Sequence, residues 1–327
     1  MTRDGPSTMV WLARRVLLAL PVVAGVTALT FVLIHVAPGD PIYALVGDGG
    51  SPAYYADMRA RYGLDQPLWT QFATYVRLVF SGELGYSFMF QAPVSRVMLE
   101  HLPSSLLLGG TSLVLAVVAG GCLGVVSAVW AGTWVDRAIR VAISVIYASP
   151  VFWMGQMLML LLALKLGWLP VAGMSSVRVP LSGLDQAADV ARHLILPAIT
   201  LALPFVAVVT SVTRASVLGK LREPFIGAAA ARGASRWAQV IRHAGPNAAV
   251  PVTALIGQHA AELVAGAALT ESLFGWPGMG YLVLHASLHR DYPLVTGAFI
   301  VIAAGVVIVN IVTDAVCAWL DPRARLA

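Results

Sequence analysis

Apolar residues run in long, nearly unbroken blocks at roughly 12–36, 104–130, 138–165, 193–217, 249–270 and 294–320, separated by stretches where glycine, proline and charge gather. A helix crossing the hydrocarbon core needs about 20 mainly apolar residues, so each block predicts one span and the six together predict an all-α, polytopic transmembrane helical bundle. An even number of spans puts both termini on one side. Arg14 and Arg15, Arg137 and Arg140, the basic residues of 219–249, and Arg323 and Arg325 all fall on that side. Basic loops stay in the cytosol, so both termini are expected inside. The first block is too long for a signal-peptide core and no small-residue cleavage site follows it, which predicts an uncleaved first helix.

The spacing divides the chain into an N-terminus and first helix (1–36), an external cap (37–101), and a five-helix core (102–327) carrying a basic loop at 219–249 and a re-entrant external segment at 271–293. The cap opens on Pro38-Gly-Asp-Pro41, turns at Gly47–Gly50 and holds two short helices. In the second of these, Leu68, Phe72, Tyr75, Val76 and Val79 are spaced to line one face. The re-entrant segment reads Glu271-Ser-Leu-Phe274-Gly-Trp-Pro277-Gly278-Met-Gly280-Tyr281 and later His289-Arg290-Asp291-Tyr-Pro293. Pro277, Gly278 and Gly280 are expected to break the fifth helix, and Tyr281, Leu282, Leu284 and Leu288 to form a short helix at the interface. Irregular backbone at that depth is tolerated only where protein or a water-filled cavity covers it.

The stretch Gly219–Pro251 is a basic, small-residue island. Pro224 sits where a helix can begin without losing a hydrogen bond, Phe225–Arg232 is nearly all alanine, and Gly233 sits where a helix can end left-handed. Ser235 is placed to cap a second helix that runs to about His243 before Gly245–Pro246 breaks it. Alanine and glycine admit another backbone at close range, while Lys220, Arg222, Arg232, Arg236 and Arg242 can meet acidic groups. The plainer alternative is a loop that is basic only because loops on the cytosolic side are.

Composition narrows the chemistry. Hydrophobic residues make up 58% of the 327 positions and charged ones 11%, far below the quarter or so of a soluble domain, and mean hydropathy is +0.80. The net charge of +5 comes from residues at the ends of apolar blocks, with no cationic stripe interleaved with aromatics, which argues against nucleic acid. Two cysteines inside predicted spans give neither a disulfide framework nor a metal spacing. The sequence holds no G-x-x-x-x-G-K-[ST] loop, no H-E-x-x-H and no G-x-S-x-G, so no ATP site, cofactor site or catalytic motif is expected on this chain. Glu262 in the fifth span and Asp314 in the sixth, one turn from Asn310, are costly inside a bilayer and default to the bundle interior or to water. Glu262 fits either a translocation path or a buried hydrogen bond between helices. Asp314, close to a helix end, fits the structural role better. Gln156 and His259 are packing or hydrogen-bonding residues in such helices more often than path residues.

These residues together resemble the membrane-spanning permease subunits of ABC importers for dipeptides and oligopeptides. The resemblance runs almost end to end: Pro38–Pro41, Tyr62-Gly-Leu-Asp-Gln-Pro67, Gly82-Glu-Leu-Gly-Tyr-Ser87, Ser149-Pro150 with Phe152-Trp153, His193-Leu-Ile-Leu-Pro197, Thr213-Arg214, Glu271 through Pro293, Asn310, Asp314 and Asp321-Pro-Arg323. The basic island is similar to the family's coupling motif E-A-A-x-x-x-G with a downstream I-x-L-P. Ala228, Ala229, Gly233 and Pro246 match it, Gly227 stands where the motif has glutamate, His243 replaces the isoleucine and Gly245 the leucine. The resemblance implies a type I importer permease fold and half of a heterodimeric pore. It also implies a second permease, two ATP-binding subunits or one fused chain carrying ATP and magnesium, and an external binding protein. Under it, Pro224, Phe225, Arg232 and Arg236 join the matched residues in docking the ATPase, and Glu262, Gln156 and Asn310 become candidates for the path or gate. Nickel or glutathione is an alternative cargo within the family. An ion-coupled secondary transporter is the alternative outside it, disfavoured by the scarcity of intramembrane charge and by the absence of a visible internal repeat.

Overall fold

The computed structural model describes residues 8–36, 40, 42, 46, 50–87, 89–176 and 182–320, with the side chains of 8–14, 16, 19, 62, 249, 250, 261–266 and 317–320 left aside. Among the described residues the architecture is all-α apart from one hairpin of two two-residue strands. Helix α1 spans Thr8–Val36; α2 (Pro52–Tyr62) and α3 (Leu68–Phe80) form the cap; β1 (Tyr86–Ser87) pairs antiparallel with β2 (Ala92–Pro93), Tyr86 opposite Pro93. Then come α4 (Val94–Val129), α5 (Trp134–Ala148), α6 (Val151–Leu158) continued by a π turn at Met159–Lys165, and α7 (Leu184–Lys220). The basic island forms α8 (Pro224–Ala231), α9 (Arg236–Ala238) and a π turn at Gln239–Ala244. After it follow α10 (Gly245–Gly266), α11 (Ala268–Phe274), α12 (Met279–Leu288) and α13 (Tyr292–Leu320).

By length and composition, three of the described helices are apolar enough to cross a membrane, α4, α7 and α13 to Val316, and a fourth if α5 and α6 are one span. The expected third block is not one straight helix. Its axis turns by 106° between α5 and α6. Proline disfavours the helical region for the residue before it, and Ser149 is extended at ψ 136 ahead of Pro150.

The most extensive helix–helix contact in the core is between α4 and α7. On α4 the buried face is a ladder of small residues four apart, Ser112, Ala116, Gly120, Gly124 and Ala128. A Cβ on Gly120 would lie 2.8 Å from Val209 Cβ, and one on Gly124 2.6 Å from Thr213 Cβ and 2.8 Å from the Thr210 carbonyl. Between transmembrane helices, where lipid is as apolar as leucine, such close approach and the dispersion it brings is the main source of association.

The cap docks on α1. Tyr75 Oη and Thr30 Oγ1 are 3.2 Å apart, His35 Nε2 and Gln71 Oε1 2.9 Å, and Gln71 Nε2 donates to the Leu64 and Gln66 carbonyls. The buried face of α3 is therefore Gln71, Tyr75 and Leu78, a rotation from the expected one, and Leu68 is exposed. A glutamine with three partners outcompetes an apolar residue for the interior, which periodicity of hydrophobicity cannot register.

Candidate functional site

Two regions carry the residues singled out from the sequence: the basic island at one end of the bundle and the re-entrant segment at the other. In the island, Pro224 occupies the first turn of α8, where its missing N–H costs no bond. Gly233 has φ +83 and its N–H donates to the Ala230 carbonyl at 2.9 Å, ending the helix left-handed. Ser235 caps α9, its Oγ accepting from the Ala238 N–H at 3.2 Å. Helix α8 is held from beneath by Ile226 and Ala229, and Ile226 packs with Ala128, Val217, Val240, Ala244 and Ala248 from α4, α7, the π turn and α10. Its other face is open: Pro224, Phe225, Gly227, Ala228, Arg232, Gly233 and Arg236 are exposed, and His243 is half-buried.

Gly245–Pro246 does not break the second helix of the island. The chain stays helical from Arg236 to Gly266, because the π turn at 239–244 widens the helix just before Pro246, which sits exposed in the first turn of α10. Sequence reasoning also passed over Trp237, 53% exposed between the arginines, and Ile241, which gives the open face an apolar patch. A tryptophan in a loop of alanines and arginines was the available signal.

The re-entrant segment is organised around Glu271, which is 0% exposed. Ser105 Oγ donates to its Oε1 at 2.7 Å and the Tyr281 N–H to its Oε2 at 2.8 Å, with a further main-chain bond from Gly280. Burial pushes the carboxyl above the usual carboxylate range, while those three donors pull the other way. The side-chain carboxyl of Glu271, itself a residue of α11, thus sits at the N-terminus of α12, where free N–H groups and the helix dipole favour an anion. Gly278 must be glycine for space, since a Cβ would lie 2.2 Å from Glu271 Oε1, and Gly280 for the same reason against Ala268 Cα at 2.5 Å. Ser105 Oγ also accepts from the Met279 N–H at 2.7 Å, and the fully buried Trp276 donates from Nε1 to the Ser104 carbonyl at 2.8 Å.

The fifth helix ends earlier than Pro277. Helix α10 stops at Gly266, α11 follows as a short separate turn, and Gly275 at φ +59 closes it. Helix α12 buries Met279, Leu282 and Ala286 and leaves Leu288 exposed. Phe274 is buried against Ala163 and Leu196, and Pro277 is half-buried. Arg290, exposed at φ +57, turns the chain into α13, and Asp291 accepts from Ser87 Oγ of the hairpin at 2.5 Å. Ser87, Ser104 and Ser105 had not been singled out as partners.

Gln156 on α6 and Asn310 on α13 are both exposed, and the side chain of Glu262 lies outside the described residues, as do Pro38, Gly39, Pro41, Gly47–Gly49 and Asp321–Arg323. Asp314 pairs with Arg15 at 2.7 Å, tying α13 to α1. A largely apolar groove of about 340 Å³ between α4, α10 and α13 is lined by residues including Ser105, Gly109, Gly110, Ala260 and Gly305, and by neither Gln156 nor Asn310.

The family model described as binding-protein-dependent transport system inner membrane component matches residues 120–326, and the corresponding N-terminal model matches 8–109. The chain is 36% identical over 334 residues to the dipeptide transport system permease protein DppB of Escherichia coli K12, covering 96% of this chain and 98% of that one. It is 33% identical over 326 residues to the protein of the same name from Alkalihalophilus pseudofirmus, with 95% and 98% covered. A di/tripeptide transport system permease protein DppB of Pseudomonas aeruginosa is 36% identical over 330 residues, 96% of this chain and 98% of that one. The chain belongs to the family of binding-protein-dependent transport system inner membrane components, multi-pass subunits that work with a substrate-binding protein and an ATPase.

Proposed function

We propose that this chain forms one half of the translocation pore of an ATP-driven importer of dipeptides and oligopeptides. The observation that carries the reading is the open face of α8, a preformed helix backed by an apolar cluster and presenting Phe225, Ala228 and the neighbouring Trp237 beside four arginines. That face suits a groove on an ATPase subunit with acidic rims. The peptide cargo follows from the names of the relatives. A second permease, two ATP-binding subunits or one fused chain, and an external binding protein complete the assembly. Both termini and the basic island then lie in the cytoplasm and the re-entrant segment outside.

ATP and magnesium bind on the partner chains, and this chain converts their closure into movement. Displacing α8 displaces the cluster beneath it, which joins the ends of α4, α7 and α10. ATP can drive that change only by binding one state of the ATPase pair better than the other. The test is reconstitution of the full assembly in vesicles with a labelled dipeptide. Uptake with ATP and arrest with a non-hydrolysable nucleotide are expected. Uptake driven by an ion gradient without nucleotide would exclude the reading.

A further inference from the structure

Asp136, in the first turn of α5, is 1% exposed at the end of the bundle that carries the basic island. Arg214 of α7 grips it with two parallel bonds, Nε to Oδ1 and Nη2 to Oδ2, both 2.8 Å. Ser127 of α4 donates to Oδ1 at 2.6 Å, the Gly132 N–H to Oδ2 at 3.0 Å, and Arg140 Nε lies 3.5 Å from Oδ1. One carboxylate therefore gathers α4, the turn after it, α5 and α7. One turn beyond Arg214, Val217 enters the apolar cluster under α8, a cluster to which α5 contributes no residue.

We propose that Asp136 and Arg214 are positioning residues that make α5 follow the coupling helix, delivering the ATPase movement to α5, the first half of the broken span. The inference rests on the reading under Proposed function. A bidentate guanidinium–carboxylate pair fixes the angle between two helices as well as their distance, where an ammonium fixes distance alone. The 106° turn at Ser149–Pro150 gives α5 an axis of its own, so it can tilt as a unit with α7 without carrying α6 rigidly along.

The test uses the complete assembly in vesicles, measuring assembled complex, ATP hydrolysis and dipeptide uptake in one preparation. Arg214→Lys keeps the charge balanced and loses the fork. It is expected to assemble and hydrolyse ATP as the wild type does while dipeptide moved per ATP falls about tenfold, within the range reached by changes in a coupling network. Ser127→Ala, which loosens the carboxylate without touching either charge, is expected to give a smaller fall in the same ratio, and it decides the matter if Arg214→Lys fails to assemble. Wild-type dipeptide per ATP in the assembled fraction of these variants, whatever its yield, reduces the pair to a structural tie and overturns the proposal. Failure of the wild-type assembly to bind its ATPase or to import peptide would instead overturn the functional reading, and is seen before any variant is made.

Discussion

At the level of single residues, Glu271 does the most with the fewest atoms. Its carboxylate satisfies Ser105, holds the first N–H groups of α12 and sets the size limit at Gly278. Glu271→Ala leaves those donors buried and unpaired. It is expected to lower stability by about 3 kcal/mol, since each buried donor left unpaired costs about 1–3 kcal/mol and removing a buried carboxyl returns part of that cost. Glu271→Gln, which keeps one acceptor oxygen, should lose less. Thermal unfolding of the purified assembly reads both, and an alanine variant melting at the wild-type temperature would show that the clasp holds nothing. The sequence marked Glu271, Gly278 and Gly280 as members of one segment. It could not mark Ser105, because a partner 166 residues away leaves no local trace in spacing or composition.

Helices and turns differ in how openly their sequence declares them. Pro224, Gly233 and Ser235 act through their own backbone or a neighbour three residues away, and each was legible. Gly245–Pro246 was not, because its effect depends on whether the preceding turn can widen into a π turn, a property of packing around Val240 and Ala244. Two variants probe elements of these two kinds. Gly233→Val meets no neighbour within 4 Å but must hold φ near +83, a strain of about 1–3 kcal/mol, so ATP hydrolysis stimulated by the binding protein should drop while the membrane core stays folded. Gly124→Val is the reverse case: its φ is ordinary, but its side chain has no room against the Thr210 carbonyl and Thr213. Overpacking there is expected to destabilise α4 against α7 by about 1–3 kcal/mol, read as a lower melting temperature and a lower yield of folded chain. The repeat of small residues four apart from Ser112 to Ala128 was available to sequence reading all along, hidden only by the uniform hydrophobicity around it.

Across the whole molecule, the run lengths of apolar residues predicted the helical class, because the bilayer's thickness imposes one length on every span. The bend between α5 and α6 stayed hidden inside one such run, since a single proline reads alike whether the helix kinks or stops. A different kind of information governs how the surface around the re-entrant segment is closed. Ser87 meets Asp291 across 204 positions, Ser104 meets Trp276 across 172 and Ser105 meets Glu271 across 166. A ribosome releases the chain from one end, so the hairpin and the start of α4 must wait, unclasped, until nearly all later helices have been made and inserted. Chains stopped at position 266 should therefore present Tyr86–Pro93 to an added protease, whereas full-length chains should resist it. Equal cleavage of the two would mean that this region matures on its own, without the last fifth of the polypeptide.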